Sequence, residues 1–348
     1  MDSAWKIDIL NKWEKHFQDL VIYNNRNGTF ELAALCSNSL FHWRSSSTDP
    51  SVVSVGKYRK DTLYLSKHPD ALYLWAFNDH SGKIDSINLS SNNKIHEIAL
   101  PDNLVVNSIT YHCSTRLSKT ICLVQGTVNG YSQLYYNELG SEGSSKGWEN
   151  WGTYYVGKPV IVESQKTLWV FTTYGYYNDW QYLCYAWTWT ENISWAKWYS
   201  MPWVGKDWHI NSIVGVSARN NPDGYGVMVT NADGAHYIKP NTGGDDWPVV
   251  SGKILEYPFY RSSFTKFGGT THNKVGNFVY LKNGQLSFIH YDKEGSVDSH
   301  SLETDLTAFS VDQSNEDDDQ IKGFPIVFCK GSATYMAVVI KQDGNRAM

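Results

Sequence analysis

A unit of about 45 to 50 residues recurs along this chain, and that recurrence limits the fold more than any single motif does. Each copy holds an apolar strand, a second strand, a turn built from Asn, Gly or Asp, and a third strand carrying aromatics. The pattern is sharpest from 158 to 209, KPVIVESQKTLWVFTTYGYYNDWQYLCYAWTWTENISWAKWYSMPWVGKDWH, which reads as the strands PVIVE, TLWVFTTY, QYLCYAWTW and AKWYSMPW. Four such strands make one antiparallel sheet, which cannot bury both of its faces alone, so the copies must stack on one another. Copies begin near Leu20, Tyr64, Asn107, Lys158, Asn211, Tyr260 and Phe309. The expectation is an all-β chain folded over 1–348 as one seven-bladed β-propeller of four-stranded antiparallel blades.

The turns support this reading. Ser37 to Ser39, Asp79 to Gly82, Asn129-Gly130, Ala232 to Gly234, Asn283-Gly284 and Lys330 to Ser332 all fall between a second and a third strand. These residues tolerate positive φ, which a tight hairpin demands. Residues 1–19 differ from the repeats. Ile9, Leu10, Trp13, Phe17 and Leu20 lie close to a helical period, so residues 4–20 read as the one substantial helix; alternatively, AWKIDIL is an outer strand that closes the last blade of a ring.

Composition narrows the function classes. Aromatic residues are 15% of the chain and charged residues 19%, which suits short strands and turns and argues against a helical bundle or a disordered chain. A net charge of -5 without a basic stripe speaks against nucleic acid as the main partner. No apolar run is long enough to span a bilayer and no leader is visible at the N-terminus, so the expectation is a cytoplasmic protein without a membrane partner, non-classical export being the alternative. The 5 cysteines are odd in number, lack CxxC spacing and sit in apolar strands, which predicts buried thiols. The histidines form no metal-binding pair, and the acidic run Glu316 to Asp319 lacks the spacing that wraps calcium, so neither metal nor cofactor is expected. No nucleophile elbow, phosphate loop or dinucleotide fingerprint is present.

One junction breaks the turn rule. In the central copy the second and third strands are joined by TYGYYNDWQ, loaded with Tyr174, Tyr176, Tyr177 and Trp180. In a four-stranded blade, the loop after the second strand emerges on the same face as the loop leading into the next blade. That face would therefore also carry Lys206, Asp207, Trp208 and His209. Large aromatics in loops of this kind point to a ligand platform, so the predicted contacts are Tyr174, Tyr176, Tyr177, Trp180, Trp208 and His209, joined by Trp43 and Arg44 on a third strand. For Trp148, Trp151, Trp195 and Trp198, and for Trp187 and Trp189 on one face of a strand, packing between blades is the expected role.

NGTFELAALCSNSLFHW at 27–43 and the pairs Trp148/Trp151 and Trp195/Trp198, the first followed by GKPVIV, resemble the repeats of seven-bladed propeller lectins of the Photorhabdus type, which bind fucose and O-methylated sugars. The fungal fucose lectins are similar at greater distance. The resemblance implies a carbohydrate-binding propeller without catalysis, whose partner is a glycan or another small molecule. The alternative is a cofactor-independent enzyme, a cyclase or isomerase of a natural product, with Tyr or His as proton donor in the central funnel.

Overall fold

The computed structural model describes residues 5–69, 71–114, 117–140, 144–163, 167–175, 181–189, 193–195, 198–201, 210, 212–216, 226–230, 235–239, 249–255, 264–272, 275–291, 297–312 and 323–341. Every regular element among them is a strand. The chain opens with β1 (Trp5–Trp13) and continues with β2 (Asp19–Asn24), β3 (Phe30–Cys36), β4 (Ser39–Arg44) and β5 (Ser51–Val55). Then come β6 (Tyr64–Lys67), β7 (Leu72–Asn78), β8 (Lys83–Asn88) and β9 (Lys94–Ala99), followed by β10 (Val105–Ser114), β11 (Lys119–Val128), β12 (Tyr131–Leu139) and β13 (Glu149–Thr153). The central run is β14 (Val160–Glu163), β15 (Thr167–Gly175), β16 (Gln181–Trp189) and β17 (Tyr199–Met201). After it lie β18 (Ser212–Val216), β19 (Gly226–Thr230), β20 (Ala235–Lys239) and β21 (Val249–Leu255), then β22 (Phe264–His272), β23 (Val275–Lys282), β24 (Gln285–Tyr291) and β25 (Val297–Glu303). The chain ends with β26 (Leu306–Val311), β27 (Phe324–Lys330) and β28 (Ala333–Lys341).

Hydrogen bonding groups the described strands into seven four-stranded sheets. Sheets one to six each take four consecutive strands from β2 onward, and sheet seven is β26, β27 and β28 completed by β1. The first strands, β2, β6, β10, β14, β18, β22 and β26, neighbour one another in that cyclic order, β26 lying against β2. Sheets set radially around an axis in this way make a β-propeller.

The central strands show why the sequence lacks polar alternation. On β15, Trp169 and Phe171 join a core with Val227, Val229 and Ile238 of sheet five, while Leu168 and Val170 join a core with Ile121, Leu123 and Leu134 of sheet three. Successive side chains of a strand point to opposite faces, so a sheet sandwiched between two others needs apolar residues at both parities. The turns follow the sequence expectation: Ser37, Asn129, Gly130, Asn283, Gly284, Gly82 and Gly331 all have positive φ. Asn129-Gly130, with φ of 51° and 82°, has both central residues left-handed, as a two-residue hairpin loop requires. The turn expected at Ala232 to Gly234 lies outside the described residues.

The helical alternative for residues 4–20 is corrected: 5–13 form β1, which pairs antiparallel with β28 from Trp5↔Lys341 to Trp13↔Thr334. A single irregularity between Ile9 and Asn11 shifts the register. It explains how residues of one parity serve two cores. Trp5 and Ile7 pack with sheets six and seven, while Trp13, beyond the bulge, packs with sheets seven and one. Ile9 and Leu10, which suggested the helical period, are exposed. The thiol expectation is met in substance: none of the five cysteines forms a disulfide, and four are buried, Cys36 being half-buried.

Buried charges are held by partners. Burial pushes Glu31 up, but hydrogen bonds from His42 and Asn25 and the charge of Arg44 outweigh it and leave this carboxyl below its ordinary value. Glu138 behaves alike: burial raises it, and the ammonium groups of Lys119 and Lys146, at 2.6 and 2.8 Å, bring it down. A carboxyl whose folded pKa is depressed contributes stability that is fully present above the unfolded value and is lost as pH falls through the folded one. Glu138→Gln is therefore expected to cost stability at neutral pH and to cost progressively less below about pH 4. Urea midpoints measured across that range check this, and a constant difference between variant and wild type would refute it.

Candidate ligand site

The first strands all run in one direction, so the ring has two distinct faces. The upper face is taken here as the one where these strands begin. It receives the hairpin after each second strand and the connection into the next sheet, which is the geometry expected for a ligand platform. A central channel of about 560 Å³ opens along the axis, walled by the first strands of sheets one to five and seven. Its upper part is bounded by residues 59–63 and by Lys158, both on connections between sheets. Arg59 is anchored there by Asp79 and by the Val106 carbonyl, and the Asp19 carboxylate accepts the Leu20 and Asp61 amides.

Beside this mouth, over sheets three and four, three tyrosines meet. Tyr131 follows the Asn129-Gly130 turn and is 55% exposed. Tyr154 lies on the connection from β13 to β14, its ring edge-on to Tyr131 at 6.2 Å and to Tyr174 at 6.0 Å. Tyr174 sits near the end of β15, paired with Tyr182 across the hairpin, and also meets Tyr155 at 5.7 Å. Val105 and Val156 add exposed apolar surface at the same end of these sheets. Tyr154 has φ of 71°, an uncommon conformation for a bulky side chain that only strong local constraints maintain. The constraints are visible: the Tyr154 amide donates to the Ser132 carbonyl at 2.6 Å, and its own carbonyl accepts from Gly175 at 2.9 Å. Gln125 and Ser132 both donate to the next carbonyl, that of Tyr155.

Behind the rim the aromatics become structure. Trp151 stacks on Tyr136 with centroids 4.7 Å apart and planes at 9°, and the edges of Trp195 and Trp198 close around it. Trp148 donates its indole N–H to the Ala99 carbonyl at 2.7 Å, tying sheet three to sheet two. Trp187 is half-buried and meets Trp189 edge-on at 5.4 Å. Trp148, Trp151, Trp195, Trp198 and Trp187 thus have packing roles between sheets, as the sequence predicts, whereas Trp189 is 40% exposed and meets only its strand neighbour Trp187 among the described rings.

The expected contacts divide three ways. Tyr174 belongs to the upper rim. Tyr176, Tyr177, Trp180, Trp208 and His209 lie outside the described residues. Trp43 is corrected: it is 3% exposed, stacked on Phe17 at 5.3 Å and covered edge-on by Trp13 at 5.4 Å, so both of its faces serve the core between sheets seven and one. Arg44 closes β4 at the lower end of sheet one, its Nε 3.0 Å from Glu31, and is not brought near Tyr174. The sequence reading passed over Tyr131, although its place directly after an Asn-Gly hairpin turn marked it as a rim residue. It also passed over a buried tie in the channel wall, where His112 Nε2 is 2.7 Å from Glu163 Oε2 and Ser114 donates to the other oxygen at 2.8 Å. That tie joins sheet three to sheet four, and no motif spacing announces it.

No family model matches this chain, and no curated protein matches it in sequence. Among solved structures, the chain is similar to the propeller domain of Cps50 (Swd1) from Myceliophteria thermophila, with a TM-score of 0.57 at 10% identity over 96% of this chain and 99% of that one. It is similar to an oligogalacturonate lyase from Vibrio parahaemolyticus, TM-score 0.55, 8% identity, covering 97% and 92%. The WD40 domain of SCAP from fission yeast gives a TM-score of 0.51 at 10% identity, covering 97% and 89%. At such identities the likeness concerns the fold. The chain is an aromatic-rich β-propeller of WD40-like architecture.

Proposed function

We propose that this propeller binds a carbohydrate without transforming it, using the upper rim of sheets three and four as an aromatic platform. The observation that carries the reading is the convergence of Tyr131, Tyr154 and Tyr174, one of them exposed and one held in a constrained backbone conformation. The C–H face of a pyranose is apolar and flat, so tyrosine rings supply stacking area while their hydroxyls bond to the sugar's own. The resemblance of residues 27–43 and of the paired tryptophans to fucose-binding propeller lectins agrees with this choice of ligand. The expected partner is accordingly a glycan rather than nucleic acid or a bilayer.

Glycan-array screening, followed by calorimetric titration of the best binder, tests the reading. Tyr131→Ala is expected to weaken binding roughly two- to tenfold, the loss of one aromatic contact. Tyr154→Gly removes a ring but relieves the left-handed backbone, so its unfolding midpoint should hold or rise while affinity falls. Affinity unchanged in both variants, or no glycan bound at all, would remove the proposal.

A second reading has one observation in its favour. His112 lines the central channel, with Nε2 fixed by Glu163, an arrangement that orients an imidazole for proton transfer. On that reading the channel is the active site of a cofactor-independent isomerase or cyclase. Turnover abolished by His112→Gln in a protein that still unfolds cooperatively would favour it over the lectin.

A further inference from the structure

Each sheet of the ring ends on an outer strand whose far edge has no partner. A row of unpaired N–H and C=O groups is a template for another strand unless something blunts it. The outer strands are β5, β9, β13, β17, β21, β25 and β1. Of these, β1, β9, β13, β21 and β25 each carry at least one Lys, Asp or Glu, and β17 is three residues long. β5 differs: it reads SVVSV, Ser51 to Val55, with no charge, no proline and three β-branched residues.

The inner side of β5 is fixed. Its register with β4 shifts once, at Val53, between the pairs Leu40↔Ser54 and Phe41↔Val52. The strands β1, β13, β21 and β25 carry shifts of the same kind, so what sets β5 apart is the missing charge. Val53 enters the core between sheets one and two, and the Ser54 hydroxyl lies 2.6 Å from that of Tyr58. The Gly56 amide donates inward to the Asn38 carbonyl at 2.8 Å, so by alternation the amide and carbonyl of Val55 face outward. Val55 is 74% exposed and Val52 50%, and the outer strands of the two flanking sheets add Ile9, Leu10 and Ile95 to the exposed apolar rim.

The ends of β5 carry the charge that the strand lacks. Asp49 precedes it and Lys57 follows it; both are exposed, and neither has an ion-pair partner among the described residues. Antiparallel pairing of this stretch with itself, centred on Val53, sets Ser51 against Val55, Val52 against Ser54 and Asp49 against Lys57. Like charges do not meet, and opposite charges meet at both ends.

We propose that β5 docks on β5 of a second copy of this chain, antiparallel about a two-fold axis, so that the two four-stranded sheets become one continuous sheet across the dimer. Such a contact is isologous: one patch serves both copies, and Asp49 faces the partner's Lys57 at each end. The edge is short, so the dimer is weak and dissociates in the micromolar range. It lies on the outer rim and does not depend on the glycan platform.

Sedimentation equilibrium on the full chain across micromolar concentrations tests this. The wild type is expected to pass from one chain to two as concentration rises. Val55→Lys should stay monomeric throughout, with the unfolding temperature of the dilute protein unchanged, because the residue is exposed and an edge lysine opposes strand pairing. Asp49→Lys and Lys57→Asp should each weaken association about tenfold, since each replaces two attractive contacts by two repulsive ones, and the two reversals combined should restore it. A single chain at every concentration, a dimer that Val55→Lys leaves intact, or a combined reversal no better than the single ones would overturn the proposal. So would a monomer whose β5 instead takes up an added extended peptide of unrelated sequence.

Discussion

Deletion of residues 1–13 is expected to abolish cooperative folding of the whole ring, although those residues are under a twentieth of the chain. They form β1, the strand that completes sheet seven from the far end of the sequence. Without it β28 becomes an unpaired edge, a template for aggregation. Two tryptophans leave with it. Trp5 packs edge-on to Phe288 at 4.7 Å, and Trp13 covers Trp43. Truncating one large buried aromatic costs about 3 to 5 kcal/mol, so losing the buried Trp13 together with the half-buried Trp5 reaches the lower end of the 5 to 15 kcal/mol that holds an ordinary domain together. Calorimetry should show no sharp transition for the truncated chain, and a synthetic peptide of the missing segment should restore one. A truncated protein melting within a few degrees of the intact one would mean that the ring is closed by other contacts.

The second large effect is expected at Glu163→Ala. Glu163 has no solvent exposure, and its two oxygens meet His112 and Ser114 across the boundary between sheets three and four. Removing the carboxylate leaves a buried imidazole and a buried hydroxyl without their acceptor. Breaking a buried pair from one side costs about 3 to 5 kcal/mol. For a chain of this size that is roughly 4 to 7 °C in unfolding temperature. Glu163→Gln keeps the shape and one acceptor, so it should lose distinctly less. An alanine variant within about 1 kcal/mol of wild type would show that the tie contributes little, since exposed polar substitutions cost no more than that.

These two sites divide what was readable in the sequence from what was not. The turns were readable because φ is a local property: Asn129-Gly130 and Asn283-Gly284 demand a left-handed backbone whatever surrounds them. The packing role of Trp151, Trp195 and Trp198 was readable too, since paired large rings beside strand ends have few other uses. Trp43 was misjudged for a reason of distance. Its covering ring, Trp13, lies 30 positions earlier, on a strand that belongs to the opposite end of the chain, and nothing local to Phe41-His42-Trp43 reveals that. The same limit hid Glu163, whose partners sit about 50 residues away.

The sequence by itself determined the all-β class, the repeat of strand and turn, and the positions of the hairpins, because strand periodicity and turn chemistry act over a handful of neighbouring residues. Only the tertiary structure decided that the first strand closes the ring and which aromatics are sealed in the core. It alone brought Tyr131, Tyr154 and Tyr174 together on one face. Those outcomes depend on which sheets lie side by side, and side-chain burial is set by neighbours that the linear order does not reveal.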